Sequence, residues 1–528
     1  MNATLRVSSP LVRWAGALWT ASLLTVSVAA SAQEGGVAPD PAADPGSEES
    51  RREAELFGEP EATAQPEGGQ AEGGESGGEE ADREAAMFGG GEGEGEGGDR
   101  EDALFGDGGG QSADGGSGLM SDADINTLLA QGYDKLDIGG RLFLRLDYAS
   151  LEEGDAESFP LSSQNLLDLY LDGRPNDRVR AYLSGRLVYD PTANEDEPTV
   201  YGTTRRRQDV QLDQLWMRFD VEHAMYFTVG RQRVRWGAGR FWNPTDFLNP
   251  QRLDPLAVFD QRLGSDLVKV HVPLPDWNTN LYAVAILSDA NAPEKVGVAG
   301  RVEQLVGEVE VSASAEWRKD TPLRLGADVS FGLWWLDLRA EAAVLRGDRT
   351  RYWEGEFAPD RFVFPTSVSK REDWQPQAVV GADLTIPVGE DDSVIVGAEY
   401  FANPSGYGDA SLYPWLLFNG SFTPLYLGRH YVGAYATVLG PGEWNDTSIV
   451  LSTLGNLSDR SFLSRFDYRA QVLTTMSVNV YTTVHYGEVG EFHLGLEIPP
   501  VPLVPELAEG FSVPPQFIDA GVSLTVTM

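Results

Sequence analysis

Short segments that alternate apolar and polar residues run from about residue 137 to residue 528 and constrain the fold more than any other feature. In segment 141–148, one face carries Leu142, Leu144, Leu146 and Tyr148, while charged residues dominate the other face. Alternation with a period of two is typical of a β-strand with one apolar face. The same pattern recurs at 178–189, 308–317, 324–331, 337–344 and 394–400. These segments predict an all-β fold.

The polar faces of these segments favour a membrane barrel over a soluble sandwich. They carry charged residues at strand centres, and the strands that they predict are about nine to eleven residues long, the length that a tilted membrane strand needs. A sandwich this long would usually divide into domains, yet 137–528 contains no linker. Several apolar faces end in an aromatic residue, as at a membrane interface: Tyr148, Tyr189, Trp317 and Tyr400. We therefore expect a transmembrane antiparallel β-barrel of about 16–18 strands over 136–528, surrounded by outer-membrane lipid.

The loops and the C-terminus agree with this prediction. Longer connections are expected around 191–208, 238–265, 348–373 and 403–427, in alternation with short turns such as 389–392. The last segment, 521–528, would present Val522, Leu524, Val526 and Met528 on one apolar face. It resembles the C-terminal strand that the barrel-assembly machinery recognises, but it ends in Met rather than Phe or Trp. This makes that machinery an expected partner.

The N-terminus predicts export. Arg6 and Arg13 supply a basic region before a short apolar stretch at 14–28, and Ala30-Ser31-Ala32 fits a small-x-small cleavage site. Residues 1–32 are therefore expected to be a signal peptide, because the apolar stretch is short for a membrane anchor. The chain contains no cysteine, which excludes disulfides and thiol catalysis.

Residues 33–120 are rich in Gly and Glu and nearly free of aliphatic residues. Between residues 33 and 118, 24 acidic residues stand against four arginines, about half of the net charge of −41. Such a segment buries too little apolar surface to offset its ordering entropy, so it should be disordered in the periplasm. A short capped helix or linker is expected at 121–135.

Three copies of the motif Arg-Glu-x-x-(Leu/Met)-Phe-Gly lie in the acidic segment. Each copy would present two apolar side chains in about one helical turn that ends at Gly: Leu56 and Phe57, Met87 and Phe88, and Leu104 and Phe105. One interpretation is tandem docking to a periplasmic exporter or carrier protein, with repetition raising the effective concentration. The alternative is repeat expansion in a neutral spacer.

The stretch 229–264 contains the strongest site candidate. Arg231, Arg233 and Arg235 alternate and should share one face, in the lumen or near the barrel rim. Two Asn-Pro steps and Pro255 then predict a sharply turned loop. A loop folded into the lumen would make a pore constriction from residues Arg231, Arg233, Arg235, Arg240, Asp246, Asp254 and Asp260. The alternative is a salt-bridge cluster that holds the loop shut.

The runs 230–237 and 242–250 within this stretch resemble porin-like outer-membrane families of unknown function, which are distantly similar to alginate-export porins. The close part of the resemblance covers about 35 residues. It implies a barrel and a role in export or lipid traffic, because members are often encoded near exporters of the resistance-nodulation-division type and periplasmic lipid carriers.

Other chemistry is poorly represented. None of the five histidines forms a metal-spaced pair, and no phosphate-binding loop or nucleophile elbow occurs, so no cofactor or metal is expected. The acidic balance argues against nucleic-acid binding. The favoured hypothesis is a porin-like outer-membrane channel for a solute, lipid or polymer. The rivals are a loop-plugged barrel that anchors a periplasmic complex, and a barrel enzyme that uses His430 or His485.

Overall fold

A computed structural model of the chain describes residues 135–152, 161–176, 178–194, 206–249, 254–388, 392–441, 446–498, 500 and 510–528. The predicted signal peptide, the acidic segment with its three motifs and nearly all of the predicted helix or linker lie outside the described residues. No helix of the described part is long and apolar enough to cross a membrane.

Eighteen long strands among the described residues form one closed antiparallel barrel, which confirms the predicted fold. In chain order they are β1 (Leu136–Leu151), β2 (Asn165–Asn176), β3 (Val179–Tyr189), β4 (Gln208–Val221), β5 (Met225–Gln232), β6 (Ser265–Leu274), β7 (Thr279–Ile286), β8 (Gly297–Val306), β9 (Val309–Trp317), β10 (Leu323–Leu333), β11 (Leu336–Arg346), β12 (Trp374–Val388), β13 (Asp392–Ala402), β14 (His430–Leu439), β15 (Thr447–Asn456), β16 (Ser461–Leu473), β17 (Met476–Gly487) and β18 (Gln516–Thr527). Each strand pairs with its neighbour in sequence. The ring closes where β1 pairs with β18, from Arg141 opposite Thr527 to Ala149 opposite Asp519.

The two faces of the barrel wall follow the alternation of the sequence. In β1, Leu144, Leu146 and Tyr148 are exposed, while Phe143 and Asp147 are buried. The exposed apolar residues form the outer face, the surface that lipid covers in barrels of this architecture. The buried and largely polar residues face the lumen, so lumenal charges are packed against one another rather than bathed in bulk water.

The barrel has one end with short turns and one with longer loops. Both β1 and β18 have their free ends at the short-turn end, beside turns such as 307–308 and 334–335. The four long connections predicted from the sequence all lie at the opposite end, between β3 and β4, β5 and β6, β11 and β12, and β13 and β14.

Three connections at the long-loop end pack together into what we call the cap: 347–373, 403–429 and 488–515. The cap includes the helix α1 (Tyr413–Phe418), the hairpin of Arg351–Glu354 with Thr366–Ser369, and the pair Leu496–Ile498 and Phe511–Val513. Its apolar core includes Trp353, Tyr413, Leu416, Phe422 and Leu496. The burial of these apolar side chains stabilises the fold of the cap. The cap is therefore a folded layer over one end of the barrel.

Candidate pore constriction

The connection between β5 and β6, residues 233–264, folds into the barrel and is called here the lumen loop. Its described residues contact lumenal side chains of β11 to β14, which lie about half a turn of the barrel away from β5. Nearly every residue from 241 to 249 is buried. The loop therefore crosses the lumen.

Two carboxylates of the opposite wall hold the loop by its backbone. Glu399 on β13 accepts hydrogen bonds from the backbone N–H groups of Arg240, Phe241 and Trp242, at 2.8, 3.0 and 2.9 Å. Glu341 on β11 accepts others from Ala238, Gly239 and Thr245. Each of the two carboxyl groups thus accepts three backbone hydrogen bonds, so these two acids are the main anchors of the loop.

A third lumenal acid ties the loop to the same wall through side chains. Asp383 on β12 accepts from Nε of Arg240 at 2.9 Å, from Arg339 and from the Tyr435 hydroxyl at 2.7 Å. Arg339 also contacts Glu399 at 3.3 Å. The charges of two arginines and two carboxylates are thus balanced within one buried cluster, which lowers the cost of burying each of them.

Glycines in the wall make room for the loop. A side-chain carbon at Gly433 on β14 would come within 2.5 Å of the Phe241 ring, and one at Gly326 on β10 within 2.7 Å of Thr245. Within the loop, Gly237 has a positive φ of 97°, which favours glycine. The loop can approach the wall closely enough for its N–H groups to reach the carboxylates.

Trp242 joins the lumen loop to the cap. Its side chain is fully buried, lies beside Phe401 and Tyr431 at ring distances of 5.7 and 5.6 Å, and donates from Nε1 to the carbonyl of Leu425 at 3.0 Å. Since Leu425 belongs to connection 403–429, loop and cap are packed as one unit.

The return limb of the loop lies against the wall on the other side. Phe259 meets Phe143 of β1 edge to face at 5.0 Å, and the Arg141 guanidinium lies 4.8 Å from the Phe259 ring. The loop therefore spans from β11–β14 to β1, and any solute crossing the barrel must pass beside it.

The structure brings several of the predicted constriction residues together. Arg262 bridges Asp246, at 2.6 Å, and Asp260. Burial raises the pKa of Asp260, but the Arg262 guanidinium outweighs it and holds that pKa well below its ordinary value. Arg233 is buried in a 2.7 Å ion pair with Asp213 of β4. Asp246 and Asp260 of the loop are thus both paired with Arg262.

Arg235 differs from the other described arginines of the loop because it is exposed. Its Nη2 donates to the Gly239 carbonyl at 3.3 Å. Arg235 is thus an accessible cation close to Arg262 and its two acids.

Arg231 lies elsewhere, and the prediction that three arginines share one face is wrong. β5 ends at Gln232, so alternation stops before Arg233. Arg231 lies opposite Leu215 and Asp266 on the outer face, where Nη2 forms a 2.9 Å ion pair with Asp266. Pairing with a carboxylate offsets the cost of a charge near lipid.

Asp254 also lies apart, at the tip of the loop, where it accepts a hydrogen bond from the backbone N–H of Leu256. The residues that sequence reasoning missed are Glu341, Glu399, Asp383 and Arg339. The available signal for Glu341 and Glu399 was a carboxylate within a predicted strand, at 337–344 and 394–400. Many strands share that signal, so it could not select these two acids, and Asp383 lies outside the segments recognised from the sequence.

The histidines considered for catalysis make structural contacts. In His485, Nδ1 lies 2.5 Å from the Phe492 carbonyl and Nε2 lies 2.9 Å from Asp519. His430 lies on the exposed side, 2.7 Å from the Tyr400 hydroxyl. Within the described residues, no group of three potential metal-ligating side chains is found.

Glu491 fastens the cap to the barrel. It accepts hydrogen bonds from the Leu425 backbone N–H, from the Tyr431 hydroxyl at 2.6 Å and from Asn456 Nδ2 at 2.9 Å. Burial raises the pKa of the Glu491 carboxyl from 4.5 to about 8. The nearby Asp459 carboxylate, which accepts from the Glu491 N–H at 2.9 Å, adds repulsion.

The raised pKa of Glu491 predicts that closure of the cap depends on pH. A raised pKa means that the closed cap binds this proton more tightly than an opened cap. Closure should therefore weaken as the pH rises from about 4.5 to about 8 and stay constant above it. We expect hydrogen exchange at 425–431, corrected for intrinsic rates, to show less protection at pH 9 than at pH 6. Glu491→Gln should remove the difference; equal protection at both pH values in the wild type would contradict the prediction.

No protein-family model matches the sequence, and no curated protein matches it. The resemblance of 230–250 to alginate-export-like porins therefore has no support from a family model. Solved structures with a similar barrel include Acinetobacter baumannii OccAB4, at 8% identity and a TM-score of 0.46 over 75% of this chain and 98% of that one. The outer membrane protein OpdK from Pseudomonas aeruginosa has 10% identity and a TM-score of 0.43, and the match covers 74% of this chain and 99% of that one. Sequence identities and TM-scores this low do not transfer a function.

Proposed function

We propose that the protein is an outer-membrane channel for a polar, negatively charged solute. The observation that carries this proposal is the lumen loop, which crosses the barrel and presents the exposed Arg235 beside carboxylates that are already paired. A constriction with an accessible cation favours passage of anions over cations. Arg240, one-fifth exposed, is the second cation at this place.

The outer face supports the membrane setting. Exposed leucines and valines cover the strand centres, and exposed tryptophans lie near both ends, such as Trp317 and Trp334. Aromatic residues of this kind sit at the two interfaces of a bilayer. The last strand, with exposed Val522 and a mainly polar buried face, supports recognition by the barrel-assembly machinery as the route of insertion.

The channel proposal predicts a difference between two arginines. In planar bilayers the purified wild type should conduct with a preference for anions. Arg235→Ala should reduce the anion preference severalfold, because it removes the exposed cation of the constriction. Arg231→Ala is the matched control, since that side chain lies on the outer face, and it should leave selectivity unchanged.

Two results would overturn the proposal. One is a cation preference in the wild type. The other is an equal loss of anion preference in Arg231→Ala and Arg235→Ala, since selectivity would then not arise at the lumen loop.

A second candidate is a barrel closed by its own loops that serves as an anchor. It is favoured by Trp242, whose contacts pack the lumen loop and the cap as one unit. A correctly folded protein that never conducts, at any pH from 5 to 9, would support this candidate instead.

The three Phe-Gly motifs are proposed to dock a periplasmic exporter or carrier protein and so couple the channel to it. Their support is the repetition of an apolar pair within an acidic segment. Deletion of 33–120 should leave conductance unchanged but abolish co-purification of the partner after cross-linking in cells. Alanine at Phe57, Phe88 and Phe105 should do the same, whereas alanine at three glutamates between the motifs should not. Retained cross-links in the Phe→Ala variant would contradict docking.

A further inference from the structure

A cavity of about 80 Å³ lies where the tip of the lumen loop meets the cap. About 10–15 Å³ is enough to admit one water molecule, so this cavity has room for a small organic group. Its lining comes from the lumen loop, from two cap connections and from the lumenal faces of β15 to β18. Four separate parts of the chain therefore converge on it.

Most of the lining is apolar. Leu454 and Leu463 from the barrel wall, Phe422 and Leu425 from one cap connection, and Phe492 from another surround the space. All five side chains are at least nine-tenths buried. Water in such surroundings finds few hydrogen-bond partners, which favours an apolar group as occupant.

The polar end of the cavity is acidic. Asp254 and Glu491 are the two carboxyl groups that line it. Glu491 is fully used by Leu425, Tyr431 and Asn456. Asp254, in contrast, is only half-buried and accepts one hydrogen bond from the described residues, from the Leu256 backbone N–H to Oδ1 at 3.0 Å. Its second oxygen is therefore the group best placed to meet a ligand.

The nearby cations are committed to other acids. Arg145 binds Asp147 at 2.5 Å, and Arg465 binds Asp467 at 2.7 Å, so both act on Asp254 only from a distance. Burial raises the pKa of Asp254, and the Leu256 N–H and the two arginines offset this effect only in part. The imidazole of His485, which also lines the cavity, has both nitrogens engaged with Phe492 and Asp519.

We propose that this cavity binds a small ligand that carries a protonated amine on a short branched apolar group. The apolar group would fill the space between Leu454, Leu463 and Phe492, and the ammonium would donate to the free oxygen of Asp254. An ammonium fits better than a hydroxyl because it supplies the opposite charge that a partly desolvated carboxylate lacks. The site is distinct from the constriction at Arg235, so its occupation does not depend on conduction.

The test uses the full-length protein in detergent and three probes of one shape: isobutylamine, isobutanol and isobutyrate. Saturation-transfer NMR, which detects weak binding of small ligands, should show the amine bound more than tenfold more tightly than isobutyrate at pH 7. Asp254→Asn should weaken the amine at least tenfold and change isobutanol less than twofold. Leu463→Trp, which fills the cavity, should abolish binding of the amine and of isobutanol.

Glu294→Gln is the matched control, because it removes one negative charge from an exposed site outside the cavity. It should leave amine binding unchanged. The proposal is overturned if isobutyrate binds as tightly as the amine, if Asp254→Asn leaves amine binding within twofold, or if Leu463→Trp still binds the amine while its circular dichroism and thermal unfolding match those of the wild type. Should Leu463→Trp fail to fold, Leu454→Phe, a smaller reduction of the same space, takes its place.

Discussion

Glu399→Ala should release the lumen loop and raise single-channel conductance, with larger current fluctuations than in the wild type. The substitution leaves three backbone N–H groups of the loop without their acceptor and takes one carboxylate from Arg339. Removing one partner from a buried, hydrogen-bonded charge cluster costs about 3–5 kcal/mol. That cost falls on the closed position of the loop, so the population of displaced loops should rise roughly a hundredfold or more.

Glu399→Gln is a graded version of the same experiment. The amide keeps an acceptor oxygen for the loop but loses the charge, so its conductance should lie between those of the wild type and Glu399→Ala. Glu303→Ala is the control, because Glu303 is a lumenal acid of β8 that binds Arg301 and not the loop. Identical conductance and noise in Glu399→Ala and the wild type would show that the loop is held by other contacts.

Trp242→Ala should separate the lumen loop from the cap. Deletion of a fully buried tryptophan costs about 3–5 kcal/mol, through lost apolar burial and the cavity left behind. Here it also removes the hydrogen bond to the Leu425 carbonyl and the ring contacts with Phe401 and Tyr431. We expect faster hydrogen exchange in 403–429 and new protease cleavage there, while the barrel strands keep their protection.

Trp334→Ala is the matched control for that experiment. It removes the same side chain from a position that is 84% exposed at the opposite end of the barrel. Exchange in 403–429 should not change. Loss of protection across all strands in Trp242→Ala would mean that the barrel itself depends on this side chain, contrary to the view of a loop–cap joint.

The sequence was sufficient to predict the barrel, because alternation repeats along nearly 400 residues and each repeat adds evidence for the same class. It also located the lumen loop, since the two Asn-Pro steps and the mixed charges mark an irregular connection. The alternating pattern placed Arg231, Arg233 and Arg235 on one face, and this prediction was wrong. The end of β5 at Gln232 depends on how the loop turns towards Glu341 and Glu399, which are more than 100 residues away in the chain. A local pattern contains no information about partners at that distance.

In β4, a register irregularity places two consecutive residues on the same face of the barrel wall. Asp213 and Gln214 both face the lumen, because a β-bulge shifts the pairing between Ser184 and Gly185 of β3. This places Asp213 within 2.7 Å of Arg233 and 2.6 Å of the Ser184 hydroxyl. One extra residue in a strand reverses the alternation of inward and outward side chains beyond it. Counting with a period of two then assigns the residues beyond the bulge to the wrong face.

The lumen loop is anchored mainly through peptide N–H groups, and this has a consequence for how such a protein can change over generations. At Ala238, Arg240, Phe241 and Thr245 every amino acid except proline offers the same N–H donor to the wall. The side chains that line the passage can therefore be exchanged while the backbone keeps its course. In a channel built this way, point substitutions in one loop would change which solutes pass, while the scaffold that holds the loop stays the same.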